Sequence, residues 1–166
     1  TIVSLIASNS SLQGNSLTAV TAGDFDSNNP GDEMLIMNNT DGKLYLFSFD
    51  GINIIQLPLN NNFISNQITG VTRGNFDGSD PNEIATIEET SGIIQILKIQ
   101  SGTLSPSLYS ISPTTSISNG ITAGDFDGDG IDEIIVHRDF DGLFVVYKVT
   151  NGDLLIRNSE YFPINQ

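Results

Sequence analysis

Carboxylates crowd three short segments of this chain: Asp24–Glu33, Asn75–Glu83 and Asp125–Glu133. These 28 residues hold 12 of the 20 acids (four, three and five), while the whole sequence has 6 basic residues. Such crowding costs repulsion unless something positive sits among the oxygens. Calcium is the natural counter-charge, because it accepts ~6–8 oxygen ligands in flexible geometry. In Asp125-Phe126-Asp127-Gly128-Asp129-Gly130-Ile131-Asp132-Glu133, the first, third and fifth positions turn oxygens inward and Gly130 permits a sharp bend. The carbonyl of Ile131 at position seven and the carboxylate of Glu133 at position nine complete a shell. This is not an EF-hand, since the twelfth position is Val136 and no helix-forming segment flanks the loop. The corresponding set in the first loop is Asp24, Asp26, Asn28, Gly31 and Glu33, with one residue inserted. In the second loop Asn75, Asp77, Ser79 and Glu83 form a weaker set, and Asp80 stands where glycine belongs, so a degenerate turn is expected there. One or two calcium ions with a structural role follow, stabilising the folded state by binding only to it.

Other chemistry finds little support. The absence of cysteine excludes thiol catalysis, disulfides and cysteine-ligated metal centres. The single histidine, His137, ends a strand beside a turn, and its repeat-equivalents are Met37 and Ile87, so no shared catalytic constellation emerges. No Gly-x-Ser-x-Gly elbow appears, and the clustered acids are better explained by metal loops than by glycoside hydrolysis. The chain reads as a non-enzyme. A net charge of −14 sets it against phosphate backbones and anionic membrane surfaces, so neither nucleic acid nor membrane insertion is expected. No apolar run approaches the ~20 residues of a membrane helix. Thr1–Ala7 carries neither the basic region nor the methionine of an intact signal peptide.

The elements that must position these loops are strands. The sequence has 22 Ile, 13 Thr and 9 Phe against 5 Ala, a balance that favours pleated sheet over helix. Val20–Asp26 recurs as Val71–Asp77 and Ile121–Asp127, placing Gly23, Gly74 and Gly124 at spacings of 51 and 50. Gly42, Gly92 and Gly142 keep the same register, and so do Gly51, Gly102 and Gly152. Each unit predicts four strands: 18–22, 33–37, 43–49 and 52–57 in the first, with counterparts in the other two. The glycines mark tight hairpin turns, where positive φ is required. Four antiparallel strands per ~50 residues is the size of a propeller blade. The expected fold is all-β and propeller-type: three four-stranded antiparallel blades (18–68, 69–118 and 119–166) plus one extra N-terminal outer strand within 1–17. Three blades cannot close a ring, because propellers have ~4–8. Open blade faces at both ends predict a homo-oligomer, or the remaining blades of a longer chain.

With these residues in place, the sequence resembles the FG-GAP/VCBS repeat family, the blades of integrin-α-type β-propellers. The match is carried by Gly-Asp-Phe-Asp-Gly-Asp-Gly-Ile-Asp-Glu-Ile at 124–134 and extends over about residues 18–162. The resemblance implies calcium bound through side chains at loop positions one, three, five and nine and the carbonyl at seven. The family usually has Asp at position nine, whereas all three copies here have Glu; the extra methylene shifts the ligand or hands its role to Asp132 or Asp32. It also implies a ligand face opposite the calcium loops. Here that face would present Asn38, Asn39 and Asp41, then Glu88 and Glu89, then His137, Arg138, Asp139 and Phe140. The expected function is a secreted, extracellular or cell-surface, calcium-stabilised module for binding or adhesion, with a carbohydrate or protein ligand. Two alternatives stand beside it: a structural subunit assembling into an oligomer or filament, and a domain of a carbohydrate-active enzyme.

Overall fold

The computed structural model describes residues 4–61, 67–80, 82–111, 118–138, 142–150 and 153–161. The described residues are all-β, as the composition predicts, and fall into three sheets. The first contains β1 (Leu17–Gly23), β2 (Glu33–Asn38), β3 (Lys43–Phe49) and β4 (Ile54–Leu57), antiparallel and in chain order. A two-residue strand, β5 (Asn60–Asn61), follows. The second sheet has β6 (Ile68–Gly74), β7 (Glu83–Glu88), β8 (Ile94–Gln100) and β9 (Thr103–Ile111), and the third has β10 (Ser118–Gly124), β11 (Glu133–Arg138), β12 (Leu143–Thr150) and β13 (Asp153–Tyr161). No sheet closes on itself. The hairpin turns fall where expected, with Gly42, Gly51, Gly92, Gly102 and Gly142 all at positive φ.

Register repeats from sheet to sheet. Met34 faces Phe47 across β2 and β3, Ile84 faces Leu97 across β7 and β8, and Ile134 faces Tyr147 across β11 and β12. Because side chains alternate along a strand, each central strand sends one set to each face. Leu35, Met37, Leu44 and Leu46 pack with Ile84, Leu97, Val71 and Leu104 in one buried cluster. Ala85, Ile87, Ile94 and Ile96 pack with Ile134, Val136, Val145 and Tyr147 in another. The second sheet is therefore covered on both faces, and each fully buried Leu or Ile contributes ~1.5–3 kcal/mol. The first strands lie side by side, β1 along β6 and β6 along β10. Gly70 permits the closest approach, since a Cβ there would lie 2.6 Å from Ile121 Cγ2 and 2.9 Å from Ile87 Cγ2.

Two departures from the sequence reading stand out. The expected N-terminal strand is absent from its described part: residues 4–10 form no strand, and Leu5 and Ile6 are exposed. Instead, residues 9–12 lie across the first sheet, where Asn9 Nδ2 donates to the Ile54 carbonyl. The second departure is β5, a strand not expected from the sequence, which pairs in parallel with the start of β9 at the edge of the second sheet.

Candidate metal centre

Each acidic loop joins the first strand of its sheet to the second. All three are closed by the same device, the buried glutamate that opens the second strand. Oε2 of Glu33 accepts the N–H groups of Phe25 and Asp26 at 2.8 and 3.0 Å. Glu83 does the same for Phe76 and Asp77 at 2.8 and 2.9 Å, and Glu133 for Phe126 and Asp127 at 3.0 and 3.3 Å. The glutamate at position nine thus has a second role beside the one expected of it. The extra methylene lets the carboxylate reach back to the loop backbone, so one of its oxygens is spent on loop closure. Asp132 Oδ2 accepts the N–H of Asn75 in the neighbouring loop at 2.8 Å.

The third loop gathers its oxygens most tightly. Ligand atoms of Asp125, Asp127 and Glu133 all lie within 4.8 Å of one another. Asp125 folds into the loop centre, accepting the N–H groups of Gly128 and Asp129 on Oδ1 and of Gly130 on Oδ2, at 2.7 to 3.0 Å. Gly128 and Gly130 make the bends at φ +80 and +90°. Asp129 Oδ1 accepts the N–H of Ile131 at 3.0 Å.

A cation already stands among these groups, and sequence reasoning missed it. Lys148 Nζ, projecting from β12, lies 2.8 Å from Asp127, 2.8 Å from Asp129 and 2.6 Å from Glu133 Oε1. Its ammonium is held well above the ordinary lysine value, because the hydrogen bonds to Asp127, Asp129 and Glu133 outweigh the opposing effect of burial. The bond to Lys148 holds Asp129 below the usual carboxylate range. In the second loop the same place belongs to Lys98, at 3.0 Å from Asp77 Oδ2, 3.3 Å from Glu83 Oε1 and 3.2 Å from Ser79 Oγ. Burial pushes Glu83 above its ordinary value, although Lys98 and the loop N–H groups oppose the shift. The signal was present in the sequence: two of the six basic residues recur exactly one repeat apart, at 98 and 148, while the first unit has Ser48 in that register.

The first loop gathers less. Asn28 donates from Nδ2 to Asp26 Oδ1 at 2.8 Å. Hydrogen bonds from Asn28 lower the Asp26 carboxyl, and burial raises that of Glu33. Asp24 is exposed, and Gly31 takes φ +105°. In the second loop Asn75 is drawn across to its neighbour, donating from Nδ2 to the Gly130 carbonyl at 3.1 Å, while Ser79 donates to Asp77. Among the described residues, only the third loop brings three carboxylates together.

The turns at the far ends of these strands divide similarly. Asn38 is buried, and its Oδ1 shapes the turn by accepting the Thr40 N–H at 3.0 Å. Asp41 is exposed and accepts the Tyr45 hydroxyl at 2.6 Å. Asn39 and Glu89 anchor their turns through backbone N–H groups donating to Ser16 and Gln67, and Glu88 accepts the Ser91 hydroxyl. His137 packs its ring 4.7 Å from Phe144, on the outer face of the third sheet, with Arg138 half-buried behind it. Asp139 and Phe140 lie outside the described residues. Next to Asp41 is a cleft of about 280 Å³ lined by Lys43, Tyr45, Gln56, Asn60 and Asn61 over Leu44, Leu46, Leu57 and Leu59. Asn61 Oδ1 is buried there with no hydrogen-bond partner. No family model matches this chain, and no curated protein matches it.

Proposed function

We propose that this chain is a propeller-type binding module whose third acidic loop takes a structural calcium ion. The observation that carries the reading is the convergence of Asp125, Asp127 and Glu133 oxygens within 4.8 Å. The donor set suits a hard cation: it is all oxygen and anionic, and the glycines leave the backbone free to adjust. Asp125, Asp127, Asp129 and Glu133 would hold the ion, which supplies two positive charges where Lys148 supplies one. Lys148 is thus a built-in competitor, and the site belongs to the weak, extracellular range of calcium affinities. That range fits a secreted protein. The side-by-side first strands of three similar sheets support a blade arrangement, with β1, β6 and β10 nearest the axis.

For the ligand, the cleft beside Asp41 supports a carbohydrate. It offers a lysine, a tyrosine, a glutamine and two asparagines over an apolar floor, with one amide oxygen of Asn61 left to be satisfied. Calorimetric titration with calcium and thermal melting with and without chelator test the metal reading. Uptake of one ion, a higher melting temperature, and loss of both in Asp125→Ala are expected. Absence of uptake overturns it. A glycan array, with Tyr45→Ala as the control, tests the cleft separately.

A further inference from the structure

The two outer sheet faces are the two halves of a seam that this chain already builds twice. At the first seam, Leu35, Met37, Leu44 and Leu46 are buried with Val71 and Ile84. At the second, the residues one repeat later meet in the same way: Ala85, Ile87, Ile94 and Ile96 are buried with Ile134, and Ile121 packs against them partly buried. The loop phenylalanines follow suit, Phe25 in the first cluster at 6% exposure and Phe76 in the second at 0%.

The series continues onto the outer faces with its apolar character mostly kept, His137 standing where Met37 and Ile87 stand. One repeat beyond Ala85, Ile94 and Ile96 come Ile135, Phe144 and Val146 on the third sheet. Phe144 is 36% exposed, and Phe126, the counterpart of Phe25 and Phe76, is 57% exposed. One repeat before Val71, Ile84 and Leu97 come Val20, Met34 and Phe47 on the first sheet, of which Met34 is half-buried and Phe47 is buried beside residues 9–12. Val71 is 7% exposed where Val20 is 65%. A groove of about 130 Å³ crosses this face, lined by Leu12, Leu17, Met34, Ile36, Phe47 and Ile54. The exposure of Val20, Phe126 and Phe144 at positions whose counterparts are buried marks an interaction surface.

We propose that a second copy of this chain docks there, the outer face of its third sheet against the outer face of the first sheet. The occupant is specified by the fold itself: the surface that fits Val20, Met34 and Phe47 is the one that fits their counterparts at each internal seam. The contact is heterologous, so each copy offers both halves, and two copies bring together six sheets. The inference rests on the seams alone and is independent of the metal reading.

Sedimentation velocity over a range of concentrations tests it, in calcium-free buffer with about 0.5 M salt to screen the net charge of −14. The native chain is expected to associate. Phe144→Glu and Val20→Lys each alter one face at an exposed position, so circular dichroism should stay native while association weakens about tenfold or more. Mixed, the two variants should associate again, because each retains the half that the other lacks. A native chain that stays monomeric overturns the proposal and leaves the faces to a different partner. Association that survives both substitutions, or variants that fail to complement, overturns it equally.

Discussion

Replacing Lys98 by methionine measures what the second loop owes to its internal cation. The ammonium lies 3.0 Å from Asp77 and 3.3 Å from Glu83, and the Glu83 side chain is 0% exposed while that of Lys98 is 19% exposed. Breaking a fully buried ion pair by removing one partner costs ~3–5 kcal/mol, and losing an exposed pair costs ~0–1 kcal/mol. The partial exposure of Lys98 places the expected loss between these, at about 2–3 kcal/mol. For a domain of this size each kcal/mol lowers the melting temperature by ~2–4 °C, so a fall of about 4–12 °C is expected. Methionine keeps the stem's packing, so the loss reports charge and not a cavity. Chemical denaturation of Lys98→Met, Glu83→Gln and the double variant completes a cycle. The double variant should recover much of the loss, since Gln still accepts the Phe76 and Asp77 N–H groups while carrying no charge. Burial already raises Glu83, and without Lys98 it rises further, so Lys98→Met should regain stability as the pH falls toward that raised value. A loss below about 0.5 kcal/mol, or no recovery in the double variant, refutes the reasoning.

The first loop has the same buried glutamate but no lysine, so Ser48→Lys should add the missing counter-charge. A gain of about 1 kcal/mol in chemical denaturation is expected, and a loss would show that Ser48 does not face Glu33 as Lys98 faces Glu83. Lys98 and Lys148 are both held above the ordinary lysine value by their carboxylates, against the effect of burial. Their stabilisation is therefore complete below the unfolded value of ~10.4 and lost as the pH rises through the folded one. Melting temperature should fall above about pH 10, and less steeply in Lys148→Met; an unchanged slope in that variant contradicts the assignment.

Much of the fold was legible because glycine and alternation are local signals. Asp41-Gly42 and Asp50-Gly51 mark hairpins, and Glu83–Ile87 reads as a strand buried on both faces, which it is. The acidic loops were visible for the same reason. What escaped were features set by side-chain reach or by which strands pair. Lys148 stands 15 residues after Glu133, and only the β11–β12 pairing brings it to the loop. Loop closure by Glu33, Glu83 and Glu133 turns on side-chain reach, which a position-by-position comparison with an aspartate does not measure. The N-terminal strand was expected from the repeat offset, which places a segment in register but does not say that it pairs with a neighbour. Asn38 looked like a surface amide, yet a turn needed its oxygen.

Asn60 and Asn61 act as a rivet between two sheets. Their backbone belongs to the edge of the second sheet, where Asn60 pairs with Thr103 and its N–H donates to the Gly102 carbonyl. The Asn61 side chain meanwhile donates to the Leu44 carbonyl of the first sheet, at 2.6 Å. Peeling the outer strand from the second sheet must therefore also loosen the first. The opening half of the chain is expected to come apart as one cooperative block, its slowest-exchanging amides shared between β3 and β8 rather than confined to either sheet.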